Sequence, residues 1–217
     1  MKAYQNYEKE LPKDYKQKLY LNAKNVKLGL VFNLIAMLVF IGVAAISMSL
    51  VTWENRADAL SLDELLGLLL KISLFFIAFA LLIMVYMVLH ELVHGFVYKK
   101  MTGEKLTFGI SWSCAFCGVP NVYVYRKTSL FSSAAPLVIF TVILMPLTAI
   151  LYFVNTTAYL LSALVFGMHL GGCAGDIYVI LLLLFKYKNP KTLVRDTGPE
   201  QFFFVPETIS EQDVSTT

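Results

Sequence analysis

A five-residue run, His90-Glu91-Leu92-Val93-His94, has the residue types and spacing of a zinc hydrolase motif. On a helix, residues four positions apart lie on one face, so both imidazoles can reach a single metal ion. Glu91 falls about a quarter-turn away, where its carboxylate can hold a water molecule beside the metal and take its proton. The run therefore predicts zinc as the cofactor, His90 and His94 as metal ligands, and Glu91 as the catalytic base.

The chain around this motif is too apolar for an ordinary soluble domain, since 58% of its residues are hydrophobic and 15% are charged. Four apolar runs are long enough to cross a hydrocarbon core of ~30 Å at ~1.5 Å per helical residue. They are Leu28 to Val51, Ile72 to Leu89, Leu130 to Val154 and Tyr159 to Phe185. We predict an all-α membrane protein with four transmembrane helices in residues 28–186, a basic N-terminus in 1–27 and a tail in 187–217.

Lysines indicate the orientation of these helices. They are frequent in the N-terminal segment, in the 99–128 loop and directly after helix 4, whereas the connection after helix 1 is acidic. By the positive-inside rule, both termini and the 99–128 loop are cytoplasmic, in a multi-pass protein of the cell membrane. The net charge of +3 sits at the membrane flanks, so it indicates topology and a lipid bilayer partner, not nucleic-acid binding.

Two segments outside the helices have a pattern of their own. Between helices 2 and 3, apolar and small residues alternate from Leu106 to Ser113, and a second β-rich run follows at Val122 to Tyr125. This predicts a cytoplasmic β-hairpin at about residues 105–126. In the tail, the apolar segment Phe202 to Val205 is expected to dock on the hairpin or the membrane surface, and residues beyond about Glu207 are expected to be disordered.

A third zinc ligand is expected on helix 4. Asp176 lies ten positions before Lys186, and His90 lies nine before Lys99, so the two sites have nearly equal depth if both helices descend to the cytoplasm. A tetrahedral catalytic zinc site takes three protein ligands and leaves the fourth position to water. Asp176 is the best placed candidate for the third.

Two further residues of helix 4 are possible secondary site residues. His169 and Cys173 lie on a stripe with Asp176, but a hydrogen-bonded core histidine and a small buried cysteine are the favoured interpretations. Gly167, Gly171 and Gly175 recur every four residues, a spacing that lets two helix backbones approach closely.

At these residues the chain resembles the DUF3267 zincin peptidases, relatives of the site-2 protease clan of intramembrane zinc metalloproteases. The resemblance lies in His90 to Gly95 and Gly172 to Asp176, with weaker similarity at Ala135-Pro136, at Asp196 to Gly198 and at Phe202-Phe203. It implies zinc ligation by His90, His94 and Asp176, activation of water by Glu91, and a membrane protein or peptide as substrate. Site-2 proteases also have an asparagine-proline stretch before the aspartate, which helix 4 lacks.

Two functions are consistent with these features. The first is an intramembrane zinc endopeptidase. The alternative is a non-catalytic multi-pass protein, either a metal or proton transporter or a partner-binding module, because intramembrane His and Asp also suit ion pathways. Four helices are few for a monomeric transporter and no inverted repeat is visible, so we expect the peptidase.

Overall fold

The computed structural model describes residues 6–22, 25–51, 61–110 and 115–207, so parts of the predicted hairpin and the predicted disordered tail lie outside the described residues. Within those residues the chain forms five α-helices and seven strands. The helices are α1 (Val26–Ser49), α2 (Leu62–Thr102), α3 (Arg126–Val154), α4 (Thr156–Gly172) and α5 (Ala174–Leu181), and α5 passes into a π-helical turn at Leu182–Lys186. The strands are β1 (Tyr7–Glu8), β2 (Tyr15–Asn22), β3 (Thr107–Ile110), β4 (Ala115–Gly118), β5 (Tyr123–Tyr125), β6 (Leu193–Asp196) and β7 (Glu200–Pro206).

Four helical segments are long and apolar enough to cross a membrane, which confirms that number for the described residues and suggests a multi-pass membrane protein. They are Val26–Ser49, Leu62–Thr102, Arg126–Val154 and Thr156–Lys186. The fourth is not a single α-helix, because a turn at Cys173 separates α4 from α5.

Helix α2 is much longer than the uncharged run that indicated it, and local signals set both of its ends. The Ser61 hydroxyl accepts from the Glu64 backbone N–H (3.3 Å), and the Glu64 carboxylate accepts from the Ser61 N–H (2.9 Å), which is a capping box. At the other end Gly103 adopts a φ of 72°, and its N–H donates to the Lys99 carbonyl (2.9 Å). The 41-residue helix therefore holds the His-Glu-x-x-His run well inside its length.

The chain divides into two compact units. The second unit comprises Asn33–Met87 and Ile139–Gly172, and α4 packs against α1 within it. A Cβ added to Gly171 would lie 2.6 Å from the Ala36 carbonyl oxygen, and one added to Gly167 would lie 3.2 Å from Val43. Two of the three regularly spaced glycines thus sit at a close helix contact, whereas Gly175 has open space around it.

The first unit comprises Met1–Phe32, Val88–Val138 and Cys173–Thr217, and it contains a sheet that the all-α prediction omitted. Five antiparallel strands follow the order β1-β5-β6-β7-β2. Its strands come from distant parts of the chain, so their pairing with one another could not be read from any local pattern. The tail segment Phe202 to Val205 is strand β7 of this sheet, with Phe203 fully buried in the unit's core.

The predicted β-hairpin exists, but its second strand was assigned wrongly. β3 pairs with β4, with Thr107 opposite Gly118 and Ile110 opposite Ala115. The run Val122 to Tyr125, expected to be the return strand, contains β5 of the larger sheet. Both runs have high β propensity, and propensity does not select a strand's partner.

Candidate metal centre

His90 and His94 lie on α2, one turn apart. Their Nε2 atoms are 3.2 Å from each other, and the ring centroids are 4.9 Å apart. This is the arrangement expected from a four-residue spacing, with both rings on one face of the helix. The two imidazoles can therefore share a ligand.

Asp176 lies in the first turn of α5 and meets both histidines. Its Oδ2 is 3.2 Å from His90 Nε2, and its Oδ1 is 3.4 Å from His94 Nε2. The side chains are largely shielded, with exposed fractions of 10% for His90, 12% for His94 and 19% for Asp176. The structure thus brings together the three residues predicted as ligands, although 86 positions separate His90 from Asp176 in sequence.

These three residues fit a zinc ion by chemistry and by spacing. Two imidazole nitrogens with one carboxylate form a known donor set of catalytic zinc sites. Ligand atoms about 2.0–2.1 Å from a tetrahedral centre are about 3.3–3.4 Å from one another. The two Nε2 atoms are 3.2 Å apart, and each lies 3.2 or 3.4 Å from a different oxygen of the Asp176 carboxylate, so each pair of groups is separated by close to that distance.

The carbonyl of Ser132, on α3, orients the ring of His94. His94 Nδ1 is 2.9 Å from this oxygen, which can only accept a hydrogen bond. The proton of a neutral His94 ring therefore sits on Nδ1, and Nε2 keeps a free lone pair toward Asp176 and His90. A second partner of this kind is what metal-ligating histidines usually have.

Glu91 lies beside the two histidines and contacts the hairpin. Carboxylate and imidazole ligand atoms of His90, Glu91 and His94 all lie within 4.8 Å of one another. The backbone N–H of Cys117, on β4, donates to the Glu91 carboxylate. This bond restrains the carboxylate while leaving it further capacity to accept a proton.

Gly95 allows the hairpin to come this close to α2. A Cβ at Gly95 would lie 2.6 Å from the Phe108 ring and 3.1 Å from the Cys117 sulfur, so any other residue would require these side chains to move. Burial, and then the charges of Glu91 and Asp196, raise the pKa of the Cys117 thiol to about 12. In the metal-free chain the thiol therefore stays protonated at neutral pH.

The two possible secondary residues lie in separate units. His169, in the second unit, is fully buried; its Nδ1 is 2.8 Å from the Tyr86 hydroxyl and its Nε2 is 3.0 Å from the Thr141 hydroxyl. Cys173, in the first unit, is fully buried in the turn that precedes α5. Hydroxyl contacts at both ring nitrogens are the environment of a hydrogen-bonded core histidine.

Sequence reasoning missed two groups at this centre, the Ser132 carbonyl and the Cys117 N–H. Both belong to the backbone, so the residue type carries no signal for them. It also gave no role to Tyr98, which lies four positions after His94 on the same face of α2 and whose hydroxyl donates to Asp196 Oδ2 (2.7 Å).

Comparison with known proteins gives one family. The family model DUF3267, described as "Putative zincin peptidase", matches residues 83–191, which is half of the chain and includes all four residues of the centre. No curated protein and no solved structure matches the chain.

Proposed function

The chain belongs to the DUF3267 family of zincin peptidases, and from this premise we propose that it is an intramembrane zinc metalloprotease. It hydrolyses peptide bonds of membrane-embedded or membrane-associated polypeptides. The observation that carries the proposal is the convergence of His90, His94 and Asp176, with Glu91 beside them, on helices apolar enough to span a membrane.

The proposed ligands are His90 Nε2, His94 Nε2 and the Asp176 carboxylate. A zinc ion held by these three groups would polarise the scissile carbonyl and make a bound water molecule more acidic. His94 is held for this role by Ser132, and Asp176 gains from its place in the first turn of α5, where the helix dipole favours a negative charge.

Glu91 is the proposed general base. Its carboxylate accepts one proton of the attacking water and then donates it to the leaving amine nitrogen, so that the peptide bond breaks into a neutral amine and a carboxylic acid, which then releases its remaining proton to solvent. The Cys117 N–H keeps the carboxylate beside the ligands during both transfers.

The substrate is held in extended form at an edge of the β3–β4 hairpin. Backbone pairing with a strand keeps a peptide straight and presents its carbonyl groups in a fixed register. A helical membrane substrate must unwind locally before it can bind in this way, because its backbone groups are already paired within the helix.

The orientation that we propose for the membrane helices would allow water to reach the centre. Lys99 and Lys100 occupy the last turn of α2, and Lys186 ends the fourth membrane-spanning segment. We place these ends and both termini in the cytoplasm of a cell-membrane protein. His90 is nine residues before Lys99, about 14 Å along the helix axis, so the centre is close to the cytoplasmic surface.

Zinc content and membrane proteomics test this proposal. We expect one zinc per full-length chain in lipid nanodiscs, retained through dialysis and lost in both His90→Ala and Asp176→Ala. Labelling of new peptide N-termini in membranes should give products with the wild type and none with either variant. The alternative function, a metal or proton transporter, would be identified by three results together: zinc that exchanges readily, a flux of zinc or protons in vesicles, and no new peptide N-termini.

A further inference from the structure

Asp196, at the end of β6, is a buried carboxylate outside the membrane-spanning helices. Its Oδ2 accepts from the Tyr98 hydroxyl (2.7 Å) and from Gln201 Nε2 (3.0 Å), and its Oδ1 accepts from the Gly198 N–H (2.8 Å). The residue as a whole is 4% exposed. A buried carboxylate is costly unless it is well bonded, so its three donors make this a built arrangement and not an accident of packing.

The side chain of Asp196 connects to the metal centre through Tyr98. Tyr98 is 2% exposed and lies one turn after His94 on the same face of α2. Its hydroxyl is also hydrogen-bonded to the Ser132 hydroxyl, which is 3.5 Å from the His94 carbonyl. Because the Ser132 carbonyl accepts from the His94 ring, a continuous set of contacts runs from Asp196 to that ring.

The backbone of Asp196 connects to the other side of the centre. Its carbonyl accepts from the Val119 N–H (2.8 Å), directly after β4. A Cβ on Gly118 would overlap the backbone of the turn that follows Asp196, so β4 and that turn are in close contact. Since the Cys117 N–H of β4 bonds Glu91, the same turn supports the proposed base.

We propose that Asp196 is a positioning residue for the zinc centre, holding the His94 ring through Tyr98 and Ser132 and holding Glu91 through β4. The inference rests on the proposed function and adds to it a residue that lies 20 positions beyond Asp176, in the C-terminal segment. On this proposal, β6 and the turn that follows it support the zinc centre by positioning His94 and Glu91, and they do not contact the substrate.

The chain offers a matched control in the same sheet. The Tyr20 hydroxyl donates to the Glu200 carboxylate across β2 and β7, so this is the same kind of tyrosine–carboxylate pair, but it is exposed. Tyr20→Phe and Glu200→Gln therefore remove the same chemical groups without touching Tyr98 or Asp196.

The test measures zinc affinity of full-length protein in nanodiscs by competition with a chromophoric chelator. We expect Tyr98→Phe and Asp196→Asn each to weaken zinc binding by about 10–100-fold, the usual effect of losing an outer partner of a metal ligand. The double variant should be no weaker than the stronger single variant, since both act along one set of contacts. Tyr20→Phe and Glu200→Gln should stay within about twofold of wild type.

A second readout separates positioning from general support of the fold. Cobalt(II) bound in place of zinc should show altered visible absorption in Tyr98→Phe, and turnover of a cleaved peptide should fall in kcat more than it rises in KM. If Tyr98→Phe has the zinc affinity and the cobalt spectrum of the wild type, the inference is overturned. If Asp196→Asn does not fold, the result for Tyr98→Phe is sufficient to test the inference. Both metal readouts need no substrate, so a lack of peptidase activity overturns the proposed function and leaves this inference standing.

Discussion

Replacing Glu91 by glutamine separates the proposed base from the proposed ligands. Glutamine has nearly the same shape, and its amide oxygen can still accept the hydrogen bond that the Cys117 N–H donates to the carboxylate. His90, His94 and Asp176 are unchanged. The substitution therefore removes the ability to take a proton and little else.

The expected size of the effect follows from that role. A positioned general base contributes about 10²–10⁴-fold to a rate, or about 3–5 kcal/mol of activation free energy. We expect kcat of Glu91→Gln to fall by that factor. KM should change little, because Glu91 lies on α2 and is not part of the hairpin edge that is proposed to bind the substrate backbone. Zinc stoichiometry should remain one per chain.

The assay begins with substrate discovery. Membranes containing wild type or Glu91→Gln are compared by N-terminal labelling and mass spectrometry, and a peptide spanning a differential cleavage site is then made with a fluorophore and a quencher. Initial rates with purified protein in nanodiscs give kcat and KM. Glu104→Gln is the control, because it makes the same chemical change just beyond the end of α2.

Cleavage by Glu91→Gln at a rate within about threefold of wild type would refute the assignment of the base. Loss of zinc from that variant would instead show that Glu91 is a ligand. Loss of rate in Glu104→Gln would mean that the assay reports surface charge and not catalysis.

Three further predictions concern the ligands, the helix packing and pH. Asp176→Asn should weaken zinc binding by more than the ~10–100-fold typical of an outer contact, and a smaller loss in chelator competition would remove Asp176 from the ligand set. Gly171→Val should lower the thermal unfolding temperature through overpacking of about 1–3 kcal/mol, because its Cβ would meet the Ala36 backbone; Gly172→Ala, with open space around it, should not, and equal effects would contradict the contact. Burial raises the pKa of Asp196 from 3.8 to about 6, so the folded chain keeps a proton that the unfolded chain has released between those values. Wild type should therefore lose up to about 3 kcal/mol of stability relative to Asp196→Asn as the pH rises from 4 to 7, and parallel unfolding curves for the two proteins would contradict this.

The helices and the proximity of His90, His94 and Asp176 could be predicted from the sequence, because each follows from patterns within single helices. Long apolar runs indicate membrane-spanning helices directly. The four-residue spacing of His90 and His94 places both rings on one face. Asp176 was found by counting to the flanking lysines, which assumes that both helices descend to the cytoplasm and that helices rise regularly.

The sheet and the supports of the centre could not be predicted in this way. β1 has two residues and pairs with β5 more than a hundred positions later, and no pattern of residues 7–8 specifies that partner. The Ser132 carbonyl and the Cys117 N–H are groups that almost every residue has. Their roles come from tertiary placement, so only the fold reveals them.

The polar atoms of this centre explain why the fold around it extends beyond four apolar helices. A charged residue within a membrane helix costs about 2.5–3.5 kcal/mol on insertion scales, so groups placed there need partners. Three partners come from elements that a plain helical bundle lacks. The hairpin supplies the Cys117 N–H to Glu91, β6 supplies Asp196 to Tyr98, and the break at Cys173 starts a new helix with Asp176 in its first turn. The hairpin, β6 and the broken fourth segment therefore each supply or orient a polar group at the centre or beside it.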